Sequence, residues 1–124
     1  MAQEERRKFL RLPVDLPLEY RMMNGSLAHG GLAVNVSEMG LLITSIRTLP
    51  VGTELGIAVL FPKGFELANF EVLAEVVWRD LYWEEDWEGY RYGLKFVQIL
   101  EEDHLKLKQL LGGQCQLEES SYIV

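Results

Sequence analysis

The sequence predicts an all-β, antiparallel fold of six strands followed by one C-terminal helix. Three observations carry this. Apolar and polar residues alternate with period two in stretch after stretch. Turn-forming residues separate those stretches at short intervals. Only the region after residue 100 carries a helical stripe. An antiparallel barrel or a sandwich satisfies the pattern, and closure into a barrel best removes exposed strand edges.

Pro13 and Pro17 bracket the entry to the first strand, in which Leu16, Leu18, Tyr20 and Met22 alternate with Pro17, Glu19, Arg21 and Met23. Asn24-Gly25 is a hairpin signal, because both residues tolerate positive φ. The second strand runs to about Ser37, with Leu32, Val34 and Val36 on one face and Ala33, Asn35 and Ser37 on the other. Gly40 opens a third strand, Leu41 to Ile46, whose facing stays ambiguous because Leu41, Leu42 and Ile43 are contiguous. Pro50 and Gly52 mark a turn. Leu55, Ile57, Val59 and Phe61 alternate with Glu54, Gly56, Ala58 and Leu60 in a fourth strand, which Pro62-Lys63-Gly64 ends. Phe70, Val72, Ala74, Val76 and Trp78 alternate with Glu71, Leu73, Glu75, Val77 and Arg79 in a fifth. After an acidic, Trp-rich connection, Tyr90, Tyr92, Leu94 and Phe96 alternate with Arg91, Gly93, Lys95 and Val97 in a sixth. The helix spans about Glu101 to Leu111. Leu100, His104, Leu107 and Leu111 share its stripe, acids stand at its start as the helix dipole prefers, and Gly112-Gly113 stops it.

With 124 residues, 48% of them hydrophobic, the chain suits one domain with a real core. Residues 1–12 read as a flexible basic arm, 13–111 as the β-domain with its helix, and 112–124 as a tail. The charged first twelve residues contain no apolar signal-peptide core, and the longest apolar run, Ile57 to Phe61, is far short of a membrane span. Cys115 is the only cysteine, which excludes an intramolecular disulfide and points to a reducing, cytoplasmic setting. The net charge of −7 argues against a non-specific nucleic-acid binder.

That charge is unevenly spread. Residues 1–12 carry a net +2 against −9 for the rest, because Arg6, Arg7, Lys8 and Arg11 lie within six residues. Arginine forks match phosphate oxygens and the O6/N7 edge of guanine. A second polar stretch, Asn35-Val36-Ser37-Glu38-Met39-Gly40, would complete a site. Asn35 and Ser37 emerge on one strand face and can accept from a purine's N–H edge. Gly40 lets the backbone come close or take positive φ.

These two stretches, Arg7-Lys8-Phe9-Leu10-Arg11 with Arg6 in front and Asn35 to Gly40, resemble the RxxxR and D/N-x-S-x-x-G motifs of the PilZ family, bacterial receptors for cyclic di-GMP. Pro50-Val51-Gly52 and Tyr92-Gly93-Leu94-Lys95-Phe96 look similar as well, so the resemblance covers about residues 6–111. It implies a six-stranded antiparallel barrel with a C-terminal helix, and cyclic di-GMP as ligand of Arg6, Arg7, Arg11, Asn35, Ser37 and Gly40. The neutral Asn35 stands where the family more often has aspartate, and an amide accepts more weakly than a carboxylate. The expected protein is a stand-alone receptor, without cofactor or catalytic residues, that relays its signal to a downstream protein by ordering the arm. The alternative is an adaptor of the same fold with weak or no nucleotide binding.

The remaining polar residues have plainer readings. Ser37 and Asn35 are also turn formers that bond to nearby backbone. His29 and His104 lack a ligand cluster. Trp83-Glu84-Glu85-Asp86-Trp87-Glu88 reads as a solvated hairpin tip, with partner docking as the sharper alternative.

Overall fold

The structure, a computed structural model, describes residues 11–123, with side chains to residue 112. Arg6 and Arg7 therefore lie outside the described residues, as does most of the arm. The strands are β1 (Leu12–Met22), β2 (His29–Val36), β3 (Gly40–Ser45), β4 (Glu54–Lys63), β5 (Glu66–Glu84) and β6 (Trp87–Gln98), followed by helix α1 (Glu101–Ile123). All pairings are antiparallel, and the order β1-β2-β3-β6-β5-β4 closes on itself through β1 and β4.

Alternation reads out directly where the ladder is regular. Leu55, Ile57, Val59 and Phe61 of β4 face the core, as do Phe70, Val72, Ala74 and Val76 of β5. The ambiguity of β3 resolves with Leu41 and Ile43 buried beside Ser45. Polar atoms inside are paired across the interior, where the hydroxyls of Tyr20 and Ser45 lie 2.8 Å apart. The Tyr92 hydroxyl donates to the Arg47 carbonyl at 2.5 Å and accepts from the Leu49 amide at 2.8 Å. Those bonds anchor the loop that carries the fully buried Leu49. Burial pushes the Tyr92 phenol above its usual pKa, an effect opposed by the Leu49 hydrogen bond and the Arg79 charge.

Two bulges break the predicted facing. The β2–β3 register shifts between Ala33 and Asn35. Ala33 and Val36 are consequently both fully buried, and Leu32, Val34 and Val36 do not share a face. The β5–β6 register shifts between Val76 and Trp78, which turns Trp78 out of the core to 43% exposure. The core set of β5 thus ends at Val76.

Turns follow their chemistry less uniformly than the sequence suggested. Gly64 at φ 64° turns β4 into β5 over two residues, and Gly52 takes φ 95°. Asn24 and Gly25 do not take positive φ; the Gly25 amide closes a turn onto the Met22 carbonyl at 2.9 Å, and β2 begins only at His29. The acidic, Trp-rich stretch is the end of a long β5–β6 hairpin that turns at Glu85-Asp86.

The helix departs from expectation at both ends. Leu100 precedes it and is exposed, while Asp103 is buried and accepts the Glu71 amide of β5 at 2.9 Å. Its inner stripe is therefore Asp103, Leu107 and Leu110, with Leu111 beside it. Gly112-Gly113 does not stop it. Gly112 keeps a negative φ, so it forms no left-handed cap, and the helix continues to Ile123 at a propensity cost of about 1 kcal/mol per glycine.

Candidate functional site

The local chemistry starts where β2 turns into β3. β2 ends at Val36, so Ser37 stands just beyond the strand rather than on one strand face with Asn35. Its hydroxyl accepts the amides of Met39 at 3.1 Å and Gly40 at 3.2 Å, and faces the Gly40 carbonyl at 3.4 Å. The Ser37 amide also donates to that carbonyl at 3.0 Å. The Met39 carbonyl accepts from Phe96 of β6 at 2.9 Å. Ser37 thus builds the turn and fixes it to the sheet, with both hydroxyl lone pairs engaged. Gly40 does not take positive φ. It pairs with Lys95, and a Cβ there would overlap the Leu94 carbonyl oxygen. Close approach of two strands is what requires glycine here.

Asn35 is placed by the bulge. It sits opposite Pro13 on one side and Leu42 on the other, half-buried. The pairing with Pro13 brings the start of β1, and Arg11 just before it, alongside the turn. Arg11, Asn35, Ser37 and Gly40 line one cavity of about 230 Å³, together with Trp78 and Lys95. The described residues that the motifs mark as ligand candidates are therefore in one place.

Trp78 and Lys95 escaped sequence reasoning. Trp78 lies opposite Gly93, and its indole occupies the space that a Cβ at position 93 would need. The signal was a glycine inside the strand alternation Tyr92-Gly93-Leu94, which marks a close approach. Lys95 approaches Glu75 to 3.8 Å, an exposed pair that leaves the ammonium free to re-pair. The cavity therefore joins two cations, an amide, a hydroxyl and an indole. Such a set can hold a planar, anionic ligand through charge, directional hydrogen bonds and stacking. Among the described residues, no group of three or more His, Cys, Asp or Glu residues is placed to hold a metal ion, and no helix is long and apolar enough to cross a membrane.

Solved structures share this architecture at low identity. The inhibitor of motility MotI/DgrA of Bacillus subtilis superposes with a TM-score of 0.71 at 18% identity, over 90% of this chain and 52% of that one. The PilZ domain of YcgR from Escherichia coli, solved with c-di-GMP, gives 0.72 at 13%, over 96% and 99%. PlzA of Borreliella burgdorferi, solved in complex with c-di-GMP, gives 0.59 at 16%, over 94% and 55%. The chain thus spans about half the length of the MotI and PlzA chains. No curated protein matches it. The PilZ domain family model matches residues 5–113, nearly the whole sequence and both of its motifs, and the chain belongs to the PilZ domain family.

Proposed function

We propose that the chain is a cyclic di-GMP receptor rather than a catalyst, and that Arg6, Arg7, Arg11, Asn35 and Ser37 are its ligand-binding residues, with Gly40 shaping the turn. The observation that carries this reading is the convergence of Arg11 with Asn35 and Ser37, 24 and 26 residues further along the sequence, on one cavity. Family membership and the c-di-GMP complexes of YcgR and PlzA support it. Arg11 and the arm cations grip phosphate or the guanine O6/N7 edge, and the Asn35 carbonyl oxygen accepts from the guanine N–H edge. The Trp78 indole offers a stacking surface at the cavity wall.

The ligand carries charge that the arm cations neutralise and polar edges that the β2–β3 turn reads. It therefore bridges the arm to the sheet, and the ordered arm becomes the surface that a downstream protein recognises. Fluorescence titration tests the site: cyclic di-GMP should change Trp78 emission saturably, and cyclic di-AMP, which lacks the guanine N1–H and N2–H donors, should not. An equal response to both nucleotides would contradict guanine reading at Asn35.

A further inference from the structure

The outer face that holds this cavity continues beyond it. Leu42 and Thr44 point outward from β3, because Leu41, Ile43 and Ser45 are buried, and the exposed Ile46 follows just beyond the strand. Opposite Leu42 stands Gly93, and opposite Thr44 stands Arg91. On the other side of β6, Asp80 faces Arg91 and Tyr82 faces Gly89. Trp87 covers Gly89 much as Trp78 covers Gly93: a Cβ at position 89 would meet the Trp87 ring at 2.6 Å and the Ser45 carbonyl oxygen at 2.7 Å. Two indoles therefore lie on two bare points of one strand, about 13 Å apart, with Arg91 between them.

Next to the Trp87 end is a groove of about 560 Å³, lined by Leu32, Val34, Ile46 and Trp87, with Arg91 and Glu84 as the charged residues of its wall. Its chemistry is specific. The Arg91 guanidinium lies 4.8 Å from the Tyr82 ring and 3.9 Å from Asp80, yet its Nε is buried with no hydrogen-bond partner among the described residues. The Arg91 side chain is 38% exposed, so it is the terminal N–H groups of its guanidinium that can meet an acceptor from outside, such as a peptide carbonyl. Glu84, whose carboxylate accepts the Tyr82 hydroxyl at 2.5 Å, stands at the end where Glu85, Asp86 and Glu88 gather. That end repels anions, which disfavours a second nucleotide or a nucleic acid, and attracts a cation. The apolar middle takes a side chain; Ile46 is 69% exposed there.

We propose that this groove docks a segment of a protein partner that presents an apolar or aromatic side chain beside a lysine or arginine. The side chain fills the space between Ile46, Leu32 and Trp87, a backbone carbonyl accepts from a terminal N–H of the Arg91 guanidinium, and the cation pairs with Glu84. Because Thr44 follows Leu42 by two residues, the groove adjoins the nucleotide cavity on one face, but docking itself does not depend on nucleotide.

The test uses the full chain without nucleotide and two synthetic peptides, Gly-Lys-Ile-Trp-Lys-Gly and its charge-reversed counterpart Gly-Glu-Ile-Trp-Glu-Gly, followed by NMR. The basic peptide should shift the Trp87 indole and Arg91 Nε–H resonances and bind about tenfold more tightly than the acidic one. Glu84→Lys, an exposed substitution, should abolish that preference, and Ile46→Ser should weaken the basic peptide while leaving the fold intact. Equal binding of the two peptides, silence at Trp87 and Arg91, or no binding at millimolar peptide would overturn the proposal. So would shifts at Trp87 that follow protein concentration without peptide, which assign the groove to a second copy. Shifts that vanish when residues 1–10 are deleted would assign it to the chain's own arm, against the proposal.

Discussion

The Trp78 indole lies over Gly93, in the space where any other residue at position 93 would carry its Cβ. This contact converts a core-type residue of β5 into a wall of the candidate nucleotide cavity. Gly93→Ala is therefore expected to expel the indole. Overpacking of this type costs about 1–3 kcal/mol. Chemical denaturation should show that loss together with a red shift of tryptophan emission. An unchanged spectrum at unchanged stability would mean that the contact does not hold the indole.

Asn35 and Ser37 are expected to separate in mutagenesis. The Ser37 hydroxyl holds two backbone amides, so Ser37→Ala should destabilise the fold by about 1 kcal/mol as well as weaken binding. Asn35 has no such structural bonds among the described residues. Asn35→Ala should leave stability within about 0.5 kcal/mol and act on nucleotide affinity alone. Asn35→Asp should tighten binding, because a carboxylate accepts more strongly from guanine N–H groups. Thermal melts and nucleotide titrations on the same samples check all three.

Tyr92 carries a pH signature. Its hydroxyl is buried between Arg47 and Leu49, and its pKa in the folded protein is raised above the ordinary 10.0. The unfolded chain then loses this proton more readily than the folded one. The contribution to stability is complete below about pH 10 and is lost as pH rises from there towards the folded-state pKa. Denaturation curves should show this decline in the wild type and a shallower one in Tyr92→Phe. At pH 7 the same substitution should cost about 1–3 kcal/mol, because the Leu49 amide is left buried without its acceptor.

The proposed ordering of the arm is open to limited proteolysis. Trypsin cleaves after Arg6, Arg7, Lys8 and Arg11. Saturating cyclic di-GMP should slow cleavage at those sites and leave cleavage after Lys63, beside the exposed turn at Gly64-Phe65, unchanged. Equal arm cleavage with and without bound nucleotide would remove the ordering step and retain the binding site.

What the sequence made legible was the regular ladder. β4 reads correctly residue by residue because nothing interrupts its alternation, and β3 is resolved only when its neighbours say which face is inward. The bulges at Val34 and Val77 were hidden, since each shifts the alternation by one residue without changing composition. The alternation put Trp78 on one face with Val76, which the bulge at Val77 breaks, although Gly93 marked the close approach. Asp103 looked like a dipole partner because its acceptor role depends on Glu71, 32 positions away. Arg11, Asn35 and Ser37 were legible as a set through their motifs. The Ser37 turn bonds and the closeness of Gly40 to Leu94 depend on three-dimensional packing that no local pattern encodes.

The most direct test of the account is calorimetric titration of the chain with cyclic di-GMP, wild type beside Arg11→Ala and Asn35→Ala. Each lost charge-assisted contact is worth about 1.5–3 kcal/mol, so Arg11→Ala should weaken binding by roughly ten- to a hundredfold with its melting temperature retained. Asn35→Ala should weaken it as well. Saturable heat in the wild type that both substitutions diminish is the predicted result. Wild-type affinity in either variant, or no heat in the wild type up to millimolar nucleotide, would contradict the site and leave the adaptor reading in its place.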